Sequence, residues 1–128
     1  MTSGLADTSV FIAAESGRAA RLELLPDQLA ISVVTIGELR AGVLAAADVG
    51  VRDRRLATLT RAMTLEPVPI DQGVAETWAR LRVSLREFGL RMPVNDSWIA
   101  ATAMTLGIPI VTQDDDYLHA PGLEVIHI

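Results

Sequence analysis

Five carboxylates offer the chemistry most legible in this sequence. Asp7 stands in Leu5-Ala6-Asp7-Thr8-Ser9, Glu38 in Thr35-Ile36-Gly37-Glu38-Leu39, Asp96 in Pro93-Val94-Asn95-Asp96-Ser97-Trp98, and Asp114 and Asp116 in Val111-Thr112-Gln113-Asp114-Asp115-Asp116-Tyr117. One at a time, each has an ordinary structural explanation. Asp7 suits the cap of a helix beginning near Thr8. Thr35 to Glu38 has the form of a capping box, and Asp96 suits the positive end of a helix. Asp114 to Asp116 suit a solvated turn, where aspartate bonds to its own backbone.

Together they ask for something else. Each follows a run that reads as a strand, or lies near the start of a helix. A doubly wound sheet therefore brings all five to the carboxyl edge, where ligands sit in open α/β sheets. At about 5 Å and an effective dielectric of about 20, each pair of carboxylates repels by about 3 kcal/mol. A fold gains nothing from that arrangement unless something neutralises it, and oxygen-only ligands point to a hard cation, Mg²⁺ or Mn²⁺. Zinc fits poorly, because the chain has no cysteine and its two histidines, His119 and His127, lie late and read as structural or exposed. A carboxylate-held ion in a small α/β domain serves phosphate chemistry, activating water and stabilising charge on phosphoryl oxygens. No residue is an obvious general base, so the attacking hydroxide is expected from metal-bound water. Arg40 and Arg91 are the arginines nearest the acidic motifs in sequence and the candidate phosphate contacts.

The elements that must position these groups follow from periodicity. Residues 4–6, 30–34, 65–70, 108–111 and 123–128 read as strands. Between them, Val74, Trp78, Leu81, Leu85 and Phe88 form one stripe of an amphipathic helix over 71–88. A further helix pair, 36–47 and 52–63, carries Ile36, Leu39 and Val43 in one and Leu56, Leu59 and Met63 in the other. Strands alternating with helices predict a parallel sheet covered on both faces.

Length and composition set the bounds. A chain of 128 residues is one domain with one core. Hydrophobic residues make up 50% and aromatics only 4%, so the core is aliphatic, and such apolarity in a small domain suggests a face buried against a partner. The net charge of −5 opposes passive coating of nucleic acid but not an enzyme whose acidic centre holds cations. Neither a signal peptide nor a membrane-spanning helix is visible, and the expectation is a cytoplasmic protein. All 11 basic residues are arginine. Without lysine, and without paired acids after the first strand, neither a phosphorelay receiver domain nor a haloacid-dehalogenase-like phosphatase fits.

The ordered motifs resemble those of the PIN domain, and within it the VapC-type toxins. They are Asp7-Thr8-Ser9, Thr35-x-x-Glu38-Leu39-x-x-Gly42, Asn95-Asp96-x-Trp98-Ile99-Ala100-Ala101 and Val111-Thr112-x-Asp114-x-Asp116-Tyr117, spanning nearly the whole chain. The resemblance implies a single PIN domain over 1–128, a five-stranded parallel sheet flanked by helices, and Mg²⁺ or Mn²⁺ held by Asp7, Glu38, Asp96 and Asp114. Asp116 ranks below Asp114, as an assistant or a water-mediated ligand. Ser9 is placed to bond a ligand carboxylate or a metal water, Thr112 is the hydroxyl beside the site, and Tyr117 reads as packing of the last loop. The family implies an endoribonuclease acting on RNA, a homodimer, and inhibition by a VapB-type antitoxin. Leu22, Leu24, Leu25, Leu39 and Val43 are expected to line part of the antitoxin groove. The alternative is an antitoxin-independent PIN nuclease for RNA processing or for DNA.

Overall fold

A computed structural model describes residues Met1 to Ile128. Five strands form one parallel sheet: β1 (Ser3–Ala6), β2 (Gln28–Ser32), β3 (Pro67–Val68), β4 (Ile110–Thr112) and β5 (Val125–His127), in the order β3-β2-β1-β4-β5. Helices connect them: α1 (Thr8–Ser16), α2 (Val33–Ala45), α3 (Val49–Ala62), α4 (Gln72–Glu87) and α5 (Val94–Leu106), with a short 3₁₀ turn at Leu22–Leu24. The expected α/β architecture is the one the chain adopts.

Register explains why both faces are covered. Leu5 pairs with Ala30 and with Ile110, and Ile110 with Val125. Residues level with one another in a parallel sheet point the same way, and this row packs against α4 and α5 in a cluster that includes Leu81, Leu85, Ile99 and Tyr117. One residue further on, Ala6, Ile31 and Val111 form the next row. Ile31 faces the other side, where it packs with Leu39, Val43, Leu59 and Ala62 of α2 and α3 and with Phe11 of α1. Small residues allow close approach: Ala100, Ala101 and Ala103 of α5 are fully buried.

Several boundaries differ from expectation for identifiable reasons. Valine favours extended backbone, which predicts residues 33 and 34 at the end of a strand. Ser32 instead caps α2, its Oγ accepting from Val34 N at 3.1 Å, so the helix starts at Val33. Phe88, assigned to the buried stripe of α4, is 68% exposed. It is the last residue before Gly89, whose φ of +67° turns the chain. Leu56 and Met63 lie on the flanks of α3, and Leu59 and Ala62 take its buried face.

Candidate active site

Strand order creates the site. From β1 the chain moves to β2 and β3 on one side, whereas β4 and β5 lie on the other, so the sheet's switch point falls between β1 and β4. Helices on either side of such a point diverge and leave a crevice beyond the strand ends. Asp7 follows β1 directly, and its N–H donates to Val111 O at 3.0 Å. Asp114 follows β4 by two residues. Fold topology thus sets these two acids side by side.

Asp7 occupies the N-cap position of α1 but makes no capping bond. Its carboxylate accepts from Ser9 Oγ at 2.6 Å. Ser9 Oγ also lies 3.2 Å from Thr112 Oγ1 and accepts from Gln113 N at 2.9 Å, while Thr112 Oγ1 accepts from Asp114 N at 2.9 Å. These two hydroxyls tie α1 to the loop after β4 and fix Asp7 and Asp114 relative to each other. Glu38, one turn into α2, does not close a capping box, because the helix begins five residues before it. Thr8 Oγ1 donates to Glu38 Oε1 at 2.7 Å, and Asn95 Nδ2 lies 3.4 Å from Glu38 Oε2. A charge-assisted bond of that length orients the carboxylate firmly.

Asp96, in the first turn of α5, completes the cluster with Asp114 and Asp116: each offers a carboxylate oxygen, all within 4.8 Å of one another. Asp7 and Glu38 lie beside this trio, close enough for Asp7 to repel Asp96 and Asp114, and for Glu38 to repel Asp114. Burial pushes the Asp7 carboxyl up to about 6, Asp114 adding to the shift and the Ser9 bond opposing it. Burial, aided by Asp116, pushes Asp96 up to about 7. Asp114 is raised by burial and by Asp116, and the Arg18 guanidinium pulls it back. The structure therefore concentrates negative charge where the protein compensates it little.

Tyr117 is wholly buried, with its hydroxyl beside Asp7 and Asp96 but without a well-formed hydrogen bond to either. Its ring does pack the last loop against α4 and α5. Its polar end nevertheless belongs to the acidic centre, as do Thr8, Asn95 and Arg18, which sequence reading did not single out. Thr8 and Asn95 were legible as members of the quoted motifs; Arg18 had no motif to mark it. Arg40 is exposed on α2, and Arg91 lines a cavity with Asp116. His127 Nε2 lies 3.3 Å from Asp115, outside the acidic trio, and His119 is exposed. Of the residues expected to line the antitoxin groove, Val43 is a core residue and Leu39 lines a cavity of about 250 Å³ with Ile12, Glu15, Glu38, Gly42 and Arg55, whereas Leu24 and Leu25 line another with Ser3 and Pro109 at the amino ends of the strands.

The fold and site define a compact α/β domain with a carboxylate-rich centre at the switch point of its sheet. The PIN domain family model matches residues 5–123. The chain is 50% identical over 125 residues to Ribonuclease VapC5 of Mycobacterium tuberculosis, covering 98% of this chain and 93% of that protein. To Ribonuclease VapC4 of the same organism it is 51% identical over 129 residues, covering 97% and 95%. A crystal structure of VapBC-5, a member of the VapBC family of toxin–antitoxin systems from Mycobacterium tuberculosis, matches with a TM-score of 0.92 at 45% identity over 100% of both chains. The chain belongs to the PIN-domain family and, within it, to the VapC ribonucleases.

Proposed function

We propose that this protein is a metal-dependent endoribonuclease that hydrolyses RNA phosphodiester bonds as the toxin of a VapBC-type toxin–antitoxin pair. The observation that carries the reading is the set of three carboxylates within 4.8 Å of one another, with Asp7 and Glu38 beside it. A hard cation contacts its oxygen ligands at about 2.0–2.6 Å, so oxygens of one coordination sphere lie up to about 5 Å apart. The donor set is oxygen only, and its buried members are held against their own ionisation by burial and mutual repulsion. Both features fit Mg²⁺ or Mn²⁺.

In this reading Asp7, Glu38, Asp96 and Asp114 hold the ion, with Asp116 a further ligand from the same trio. When bound, the ion supplies positive charge to the phosphoryl oxygens and acidifies the water that attacks phosphorus. The chain's own contribution is orientation. Ser9 fixes Asp7, Thr112 fixes the turn that carries Asp114, and Thr8 and Asn95 grip the two oxygens of Glu38. Such outer hydrogen bonds decide how well a ligand set is preorganised. The relatives' names support ribonuclease activity, and the VapBC-5 match supports pairing with a VapB-type antitoxin. We also infer a homodimer working in the cytoplasm; no helix is long and apolar enough to cross a membrane.

Cleavage of structured cellular RNA in Mn²⁺ tests the reading, with EDTA and Asp96→Asn as controls. Discrete products that vanish in both controls are expected, because the substitution removes a ligand charge while keeping its shape. Persistent cleavage in EDTA would remove metal dependence, and no cleavage by folded, antitoxin-free protein would leave two choices, a substrate missing from the pool or a site that binds without cutting.

A further inference from the structure

The acidic centre is not the end of the crevice. Asp116 lines a cavity of about 200 Å³ together with Leu85, Leu90, Arg91 and Met92. Those last four residues also line a second cavity, of about 560 Å³, whose remaining wall carries Arg82 and Arg86. The two spaces share one boundary, so a continuous surface leads from the acidic trio past Arg91 to the pair of arginines on α4.

Local structure makes this cluster. Arg82 and Arg86 are one turn apart on α4 and so lie on the same side of it. The helix then ends in a Schellman turn: Gly89 N donates to Arg86 O at 3.1 Å and Leu90 N to Leu85 O at 2.8 Å, with Gly89 at positive φ. That reversal carries Arg91 back to the cavity wall. Arg82 is preorganised, donating from Nη1 to Met92 O at 3.3 Å with its guanidinium 5.8 Å from the centre of the Trp78 ring.

None of these arginines has a carboxylate within 4.0 Å; the protein's one such contact between a basic and an acidic side chain joins His127 and Asp115. In a chain of net charge −5, three guanidiniums without carboxylate partners line one cavity that adjoins the acidic trio. The floor beneath them is apolar, made by Leu85, Leu90 and Met92. A guanidinium rim over an apolar floor suits a sugar–phosphate strand with an unstacked base, which single-stranded RNA presents and a duplex does not.

We propose that Arg82, Arg86 and Arg91 form a subsite for the phosphates of single-stranded RNA flanking the bond cut at the acidic centre. The proposal rests on the ribonuclease reading above. It also gives an acidic protein a positively charged surface, next to the site, on which to hold a polyanion.

The test uses binding without cleavage. In the full-length Asp96→Asn protein, the affinity for a short fluorescein-labelled single-stranded oligouridylate is measured by anisotropy across a series of potassium chloride concentrations. Arg86→Gln with Arg91→Gln is the informative variant, because both side chains are exposed and the fold does not depend on them; an unchanged melting temperature checks this. Arg54→Gln with Arg80→Gln removes equal charge from exposed positions outside the cavity. Loss of two phosphate contacts lowers the slope of log affinity against log salt by about 1.4. We expect that loss, with affinity about tenfold weaker, in the groove variant and not in the control. Equal slopes and affinities in the two variants would overturn the subsite, as would an unchanged RNA slope accompanied by a weakened hold on the antitoxin, which would make the cavity a protein-docking site. Cleavage by the wild-type protein in Mn²⁺ is scored separately, so failure of the subsite is distinguishable from failure of the ribonuclease.

Discussion

Asp7, Asp48 and Asp71 all stand at helix N-caps, yet only two of them cap. Asp48 accepts from Val51 N and Asp71 from Val74 N, both at 2.9 Å. Asp7 leaves the backbone N–H groups of its helix uncapped and accepts instead from the Ser9 hydroxyl, beside the acidic trio and 1% exposed. Burying that charge has a thermodynamic signature. With its carboxyl raised to about 6, the folded state binds the proton more tightly than the unfolded state does. The group's stabilising contribution is therefore complete below the unfolded carboxyl value and lost as pH rises through about 6. In EDTA, Asp7→Asn is expected to melt above the wild type at about pH 7.5, with an advantage about 1 kcal/mol larger than at about pH 5. Thermal melts at both pH values measure this. An advantage that is the same at both would mean that Asp7 is not held against ionisation.

At the scale of the element, α4 shows what local sequence decides and what it leaves open. The stripe Val74, Leu81 and Leu85 is buried as its spacing predicts, and Trp78 stacks on Trp98 of α5 with ring centres 4.2 Å apart. The end of the helix was less legible, because a hydrophobic Phe88 continues the period while Gly89 ends the turn. The start is set by Asp71, and Asp71→Ala is expected to cost about 1 kcal/mol. In a chain of this size that lowers the melting temperature by roughly 3–5 °C. A melting temperature unchanged within about 1 °C would show that tertiary packing, rather than the cap, holds the first turn. The same competition appears at α2, where one serine hydroxyl outweighs the extended preference of two valines.

For the whole molecule, the two core clusters leave a substantial apolar surface uncovered. Leu44, Val49 and Leu56, on α2 and α3, are all exposed. A chain that is half hydrophobic has more apolar surface than one small sheet can enclose. Light scattering of antitoxin-free protein is expected to return twice the mass of one chain, and a stable monomer would refute the inferred homodimer. Antitoxin binding makes a separate demand. Of the five residues expected to line the antitoxin groove, Val43 is buried in the core, Leu39 lines a cavity between α1, α2 and α3, and Leu22, Leu24 and Leu25 lie on the segment before β2.

The sequence by itself determined the alternation of strands and helices, and it named the five acids, because period, turn residues and ordered motifs are local properties. Each acid still had a local explanation, and only tertiary structure could choose between the two. Strand order placed β1 beside β4, which joined Asp7 to Asp114 across more than a hundred residues of chain. The packing of α5 brought Asp96 to Asp116, and the packing of α2 brought Glu38 to Thr8 and Asn95. The positions of Tyr117 and Arg18 beside these acids depend in the same way on distances between elements. Those distances are set by register and helix packing, and no spacing along the chain encodes them.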